Sequence, residues 1–261
     1  MTTYVIGETQ GCYKELLLLL EKINYNEKND QILFTGNYIN NKNSIKLINY
    51  IKKMEKNTIS ILGEQEIKLL SSIHKNNNNI LKNHKQKIEI LNWIQHLPLI
   101  YFNKNHNSII VHAGLYPFWE IEKTIQYTKQ IENILKTSEY KIILKNIYLN
   151  NLNIWNNKYD PIQKYQFIIN TLTKMTICNN KGYINTKYKN TIDKIPNKFK
   201  PWFMINEHLF EKTNIIFGNW KELLGLTKKK NIISTNTGAT WGLYLSAINL
   251  NTKKRYYIKK I

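Results

Sequence analysis

Residues 3–11 of this chain read Thr3-Tyr4-Val5-Ile6-Gly7-Glu8-Thr9-Gln10-Gly11. Tyr4-Val5-Ile6 is a short apolar run of the kind that forms a buried strand, it stops at Gly7, and a polar cluster follows at once. Tyr13 to Ile23 then carries its leucines at helical spacing, which predicts a helix with an apolar inner face. The same unit returns with Ile32-Leu33-Phe34, the cluster Thr35-Gly36-Asn37 and a helix over Ser44 to Lys53. It begins a third time with Ile59-Ser60-Ile61-Leu62 ending at Gly63. A strand, polar loop and helix in repetition predict an α/β fold with a parallel sheet whose ligand-facing groups collect at the carboxyl ends of its strands.

Working outward, the segment from about Ser71 to Asn107 is polar and helical in pattern. The run Asn76 to Asn79 reads as a solvent loop, and Trp93 to Leu99 as a helix ending at Pro98. A strand follows over Ser108 to Val111 and leads into His112-Ala113-Gly114. Amphipathic helices extend to about Asn150, and a further helix covers Pro161 to Lys174. After Gly182 the pattern turns to strands at Asn214–Phe217, Asn231–Ser234, Leu243–Ile248 and Arg255–Ile258, expected as a β-rich carboxyl-terminal layer. No internal repeat or linker interrupts the chain, so a single domain over residues 1–261 is expected, burying about three quarters of its surface.

A hydrophobic content of 42% supports a sizeable core, and the formal charge of +20 points to polyanions. Arg255 is the one arginine among 38 basic residues, however, and the wealth of Lys, Asn, Ile and Tyr fits an AT-rich genome. There is no arginine stripe, zinc-finger spacing or aromatic ribonucleoprotein motif, which argues against a dedicated nucleic-acid reader and leaves nonspecific polyanion binding open. Two cysteines, Cys12 and Cys178, cannot build a disulfide framework, and no basic-then-apolar leader opens the sequence; a cytoplasmic protein is expected. The longest apolar run, Leu16 to Leu20, falls far short of the about 20 residues that span a bilayer, so no membrane association is expected.

Five strand-end clusters follow one another: Gly7-Glu8-Thr9-Gln10-Gly11, Thr35-Gly36-Asn37, Gly63-Glu64-Gln65-Glu66, Val111-His112-Ala113-Gly114 and Phe217-Gly218-Asn219-Trp220. In this order they resemble the metallophosphoesterase superfamily, whose clusters are Gly-Asp-x-His-Gly, Gly-Asp, Gly-Asn-His-Asp/Glu, His-Ala-Gly and a late Gly-His. Lys200-Pro201-Trp202-Phe203, Thr237-Gly238 and Trp241-Gly242 narrow the resemblance to the symmetrical diadenosine tetraphosphatases and extend it over nearly the whole chain. The resemblance implies a four-layer α/β/β/α sandwich, two divalent metals such as manganese or cobalt, and hydrolysis of diadenosine tetraphosphate to two ADP. It places the first metal's ligands at Glu8, Gln10 and Asn37, Asn37 standing at the bridging position, and the second metal's at Glu64, His112 and Asn219. Of these six only His112 keeps the family's residue.

Gln65 stands where the family has the imidazole beside the leaving group, and a carboxamide is no acid near neutral pH. No functional catalytic residue is therefore expected. A neutral amide at position 37 cannot offset the repulsion between adjacent dications, and Gln10 and Asn219 replace imidazole nitrogens by amide oxygens. No stably bound cofactor is expected. The phosphate-holding arginines are replaced as well, leaving Asn41, Lys42 and Lys174 as candidate substrate contacts with only point charges to offer. Glu8, Glu64 and Glu66 read equally as solvated carboxylates in an open cleft or as functional groups, and Trp202, Trp220 and Trp241 as packing groups rather than base-stacking platforms. The reading that follows is a degenerate homologue with little or no activity. An enzyme with one cation on Glu8, Glu64 and His112, or a noncatalytic nucleotide or polyanion binder, are the alternatives.

Overall fold

The computed structural model describes residues 1–40, 43–72, 81, 85–145, 147–148 and 152–261. In chain order these form β1 (Thr3–Ile6), α1 (Tyr13–Lys22), β2 (Gln31–Phe34), α2 (Asn43–Lys53), β3 (Thr58–Ser60), α3 (Glu64–Ser72), α4 (Lys87–His96), β4 (Ile100–Asn103) and β5 (Ser108–Val111). There follow α5 (Ile121–Leu135), α6 (Tyr140–Leu144), α7 (Pro161–Lys174), β6 (Ile177–Cys178), β7 (Ile184–Asn185), β8 (Lys200–Pro201), β9 (Asn214–Phe217), β10 (Ile232–Ser234), β11 (Tyr244–Asn249) and β12 (Arg255–Lys259).

Two sheets pack face to face, one ordered β12-β11-β1-β2-β3 and the other β10-β9-β5-β4. Strand alternation explains the pairing. Val5, Leu33, Ile61, Ile110, Ile216, Ile233 and Ile248 form one buried cluster between the sheets. Their sequence neighbours Tyr4, Ile6, Ile32, Phe34, Ile109, Val111, Ile215 and Phe217 point the other way, into the larger core shared with the helices. Both faces of the central strands are buried, which is why they read as continuous apolar runs. The result is the helix, sheet, sheet, helix sandwich, with α1 packed on β11 and β12.

Local signals set the helix limits. Asp160 caps α7 by accepting from the Gln163 amide at 2.8 Å, the Gln163 side chain returns the bond, and Pro161 takes the first turn. The helix expected over Trp93–Leu99 lies earlier, at Lys87–His96. Leu97 is extended because the residue before a proline is driven out of the helical region. Beyond Pro98 the chain forms β4, antiparallel to β5, where a helical pattern was expected. The carboxyl-terminal strands do not make a layer of their own. β9 and β10 join β5 in parallel, whereas β11 and β12 extend the first sheet antiparallel to β1. A small sheet ordered β7-β6-β8 was not foreseen, its strands being two residues each. The expected loop at Asn76–Asn79 lies outside the described residues.

Candidate functional site

The inward-facing register of the strands continues one step past their ends and lays the floor of a cleft. Two residues beyond Val5, Leu33, Ile110, Ile216 and Ile233 come Gly7, Thr35, His112, Gly218 and Thr235. Here the sheets converge so closely that a Cβ on Gly7 would stand 2.3 Å from the Thr235 carbonyl oxygen, which no neighbouring backbone could accommodate. The Thr35 and Thr235 hydroxyls meet at 3.3 Å across the seam. His112 is fully buried on this floor. Its Nδ1 donates to the Thr35 carbonyl at 2.6 Å and its Nε2, with no hydrogen-bond partner among the described residues, faces Glu8 Oε1 at 3.9 Å.

Above the floor the strand-end loops present their polar side chains to one another. Glu8 is the hub. Its Oε2 accepts from the side-chain amides of Gln10 and of Asn37, the latter at 3.1 Å, and its Oε1 accepts the backbone N–H of Asn219. Asn37 Oδ1 in turn accepts the backbone N–H of Gln65 at 2.9 Å, and Gln10 Oε1 accepts from the Thr240 hydroxyl at 3.0 Å. The side-chain Oδ1 of Asn219 accepts from Lys189 Nζ at 2.8 Å while its Nδ2 donates to the Lys174 carbonyl at 3.1 Å. Three of these residues hold left-handed backbone, Gln10 at φ 38°, Asn37 at 58° and Asn219 at 51°, which turns their side chains into the cleft.

Five of the six positions singled out in the sequence, Glu8, Gln10, Asn37, Glu64 and Asn219, thus line one cleft together with Gln65, and His112 lies beneath them. Glu64 and Gln65 begin α3. Lys174 ends α7, its Nζ 4.0 Å from Glu64 Oε1 and 4.3 Å from the centre of the Tyr148 ring. Burial lowers the Lys174 pKa, and Lys189, Lys187 and Lys68 add to the shift, against the attraction of Glu64. Asn41 and Lys42 lie outside the described residues.

Of the two readings left open for the carboxylates, the solvated one does not hold for Glu8 and Glu66; both are buried. Glu66 accepts three backbone N–H groups, from Tyr38 at 2.8 Å and from Asn37 and Gly63 at 2.9 Å each, and so ties the loops after β2 and β3 together. Burial raises its pKa despite these three donors and the nearby His112. Trp202 and Trp220 are buried packing groups, but Trp241 is 67% exposed on the cleft rim, with Lys221 Nζ 3.8 Å from its ring centre. The left-handed glycines Gly238 and Gly242 bracket the short turn that lifts it out of the core. Lys189, Lys221, Glu222 and Thr240 also join the site. Nothing local in the sequence marks these four, since each sits in a loop or a single short helical turn whose position depends on the closure of the whole sandwich.

A family model for calcineurin-like phosphoesterases matches residues 1–164. A symmetrical bis(5'-nucleosyl)-tetraphosphatase of Coxiella burnetii (strain Dugway 5J108-111) is 31% identical over 98% of this chain and 91% of its own length. One from Actinobacillus pleuropneumoniae serotype 3 (strain JL03) is 30% identical over 97% of each. In three dimensions the chain matches a crystal structure described as a candidate diadenosine tetraphosphatase with a TM-score of 0.66, over 100% of this chain and 94% of that one, at 17% identity. That likeness speaks for the fold.

Proposed function

The chain belongs to the calcineurin-like phosphoesterases and, within them, to the symmetrical bis(5'-nucleosyl)-tetraphosphatase family, and from that membership we propose that it is a homologue with little or no hydrolytic activity. The observation that carries this reading is the direction of the Asn37 amide. A residue at the bridging position has to turn negative oxygens toward two cations. Asn37 instead turns its Nδ2 donor toward Glu8, so the positive end of its dipole occupies the approach a cation would take.

The remaining donors fit a pair of divalent metals no better. Both oxygens of Glu8 accept N–H donors, Oε2 from the side chains of Gln10 and Asn37 and Oε1 from the Asn219 backbone, and the Asn219 side-chain oxygen is held by an ammonium. Hard dications at the spacing of such centres, about 3.5–4 Å, require anionic oxygens and imidazole lone pairs, and His112 Nε2 is the one imidazole nitrogen that these six positions offer. Lysine supplies the positive charge in its place, Lys174 beside Glu64 and Lys189 on Asn219. Gln65, at the leaving-group position, cannot protonate a departing phosphate near neutral pH.

Cys12 and Cys178 are unpaired, which suits a reducing compartment, and both are buried, which pushes their pKa up to about 11 and about 12. No helix among the described residues is long and apolar enough to cross a membrane. The test is elemental analysis of the purified chain together with hydrolysis of diadenosine tetraphosphate in added manganese or cobalt. Sub-stoichiometric metal and no turnover are expected. Two bound cations per chain with sustained release of ADP would overturn the reading.

A further inference from the structure

Six large apolar side chains gather in solvent on one side of the sandwich: Leu224, Leu226, Trp241, Leu243, Tyr244 and Tyr257, each between 41% and 71% exposed. Topology brings them together. β12 is the last strand of its sheet and, of the described residues, none from β12 enters the buried cluster between the sheets, so its inner face projects past β10, the last strand of the other sheet. Antiparallel register with β11 sets Tyr257 and Lys259 on that face with Tyr244, which stands opposite Lys259, and the two tyrosine rings meet edge to face at 5.9 Å. Arg255, on the same face, donates from Nη2 to the Gly225 carbonyl at 3.3 Å and to the Ser234 carbonyl at 2.7 Å, which draws the loop carrying Leu224 and Leu226 against this shelf. Leu224 is held there in left-handed backbone at φ 48° and Gly225 at 84°, a tight turn that leaves both flanking leucines in solvent. Lys221, at the start of the same loop, lies over the Trp241 ring, and Leu243 leads from that ring to Tyr244.

Charge decides what covers this surface. Lys228 and Lys230, in the same loop, and Lys259 are exposed and have no carboxylate within ion-pair distance among the described residues, while Glu222 is taken up by Lys221 at 3.4 Å. A second copy of a chain that carries +20 would set these lysines against their own equivalents. Bases and phosphates offer little to three leucines, and a peptide partner seeks a groove, whereas these side chains stand out from the ends of turns. Leucines at the tips, Trp and Tyr beside them and lysines around them match the acyl, interfacial and headgroup levels of an anionic bilayer. We propose that this face docks on an anionic lipid surface, the leucines entering the acyl boundary, the aromatic rings lying at headgroup level and the lysines meeting the lipid phosphates. Lying on a surface needs no spanning run, so the short apolar runs of the sequence bear on crossing alone. Trp241 and Lys221 belong also to the rim of the cleft, so docking turns the cleft toward the lipid.

The experiment is co-sedimentation of the full-length chain in EDTA with vesicles of phosphatidylcholine alone or with about 30% phosphatidylglycerol, read also by tryptophan fluorescence. The anionic vesicles should bind the chain at least about tenfold more tightly than the neutral ones, and the emission should shift to the blue as Trp241 leaves water. Leu224→Gln together with Leu226→Gln should weaken binding about tenfold. Lys228→Gln together with Lys230→Gln should weaken it about twentyfold, each charge being worth about fivefold. Ile88→Gln, on α4 beside β3 at the opposite edge of the sheet, should change nothing. All five positions are exposed, so thermal unfolding should match the parent; for a variant that does not fold, the two vesicle compositions decide on the parent chain. Absence of binding to the anionic vesicles, equal binding to the neutral ones, or an equal loss in Ile88→Gln overturns the proposal. Single-stranded DNA and polyglutamate are titrated in parallel, and a polymer whose binding falls with the leucine pair as steeply as vesicle binding takes the surface instead and overturns it as well.

Discussion

Asn37→Asp is the sharpest perturbation of the cleft because it changes one donor group and no volume. Asn37 is 3% exposed and Glu8 5%, and the amide that joins them spans 3.1 Å. Replacing that amide by a carboxylate removes a donor and sets two negative charges at the same separation. At an effective dielectric of about 20 the repulsion is about 5 kcal/mol, and relaxation and water entry bring the expected loss to roughly 3–5 kcal/mol. For a chain of this length that is a fall in Tm of about 6–9 °C. The pair escapes by taking up a proton, so one of its two pKa values rises above the unfolded range. The sign follows directly: the penalty is absent where the proton is bound, near pH 4–5, and grows as pH rises through the raised value to its full size near pH 8. Thermal unfolding in EDTA across that range is the assay. A variant as stable as the parent at pH 8, or more stable, would mean that a positive charge, and not only the amide donors of Gln10, Asn37 and Asn219, faces Glu8, and the amide account of the cleft would be wrong.

Restoring the family's residues together, with Glu8→Asp, Gln10→His, Asn37→Asp, Glu64→Asn, Gln65→His and Asn219→His, should give two manganese ions per chain by elemental analysis and measurable hydrolysis. An apo protein would show that the loops have drifted from ligand geometry. Lys174→Met should raise the Tm at pH 7, because a lysine whose pKa is lowered by burial costs stability while charged; the gain should shrink as pH climbs toward the unfolded value near 10.4, as unfolding at several pH values will show. Glu66→Gln should cost about 2–4 kcal/mol in urea unfolding, since one carboxamide oxygen cannot serve three N–H groups. Because burial raises the Glu66 pKa, its contribution declines as pH rises through the folded value, and the substitution should flatten that slope. Gly114→Ala should lose about 1–3 kcal/mol, because its Cβ would stand 2.6 Å from Trp202 Nε1 inside a packed aromatic cluster.

How far the sequence disclosed this molecule depended on whether the deciding interactions were local. β1, β2 and β5, and helix α7 with its Asp160 and Pro161 start, are set by runs and caps a few residues long, and they stand within a residue of where the pattern put them. β4 was missed because Ile100–Asn103 is too short to show a period and becomes a strand by pairing with β5. The clustering of Glu8, Asn37, Glu64 and Asn219 was legible from the order of the strand ends. Their hydrogen-bond partners were not, because Asn219 to Lys189 and Gln10 to Thr240 span 30 and 230 residues of sequence. Trp241 was read as a packing group, and two left-handed glycines placed it on the rim instead.

The cleft separates the residues that shape the fold from those that carry chemistry. Gly7, Thr35, Gly218 and Thr235 set how closely the sheets approach, and they depend on backbone and hydroxyl contacts that need no ion. The side chains above them can therefore change while the loops keep their path. The left-handed backbone at Gln10, Asn37 and Asn219 bears this out. Asparagine tolerates that conformation, but glutamine gains little relief there and stands to lose about 1–2 kcal/mol. Gln10 is nevertheless held in it, by its own N–H donating to the Asn37 carbonyl at 2.8 Å and by its side chain bridging Glu8 and Thr240. A strained residue fixed on both sides by hydrogen bonds to a peptide carbonyl, a carboxylate and a hydroxyl is what a cleft requires if nothing else is to organise it. A cation pair would organise the same loops through oxygens turned inward, and it would make the Gln10 and Asn37 donors to Glu8 unfavourable. The two arrangements exclude each other at the Glu8 carboxylate, which is why the charge of residue 37 decides between them.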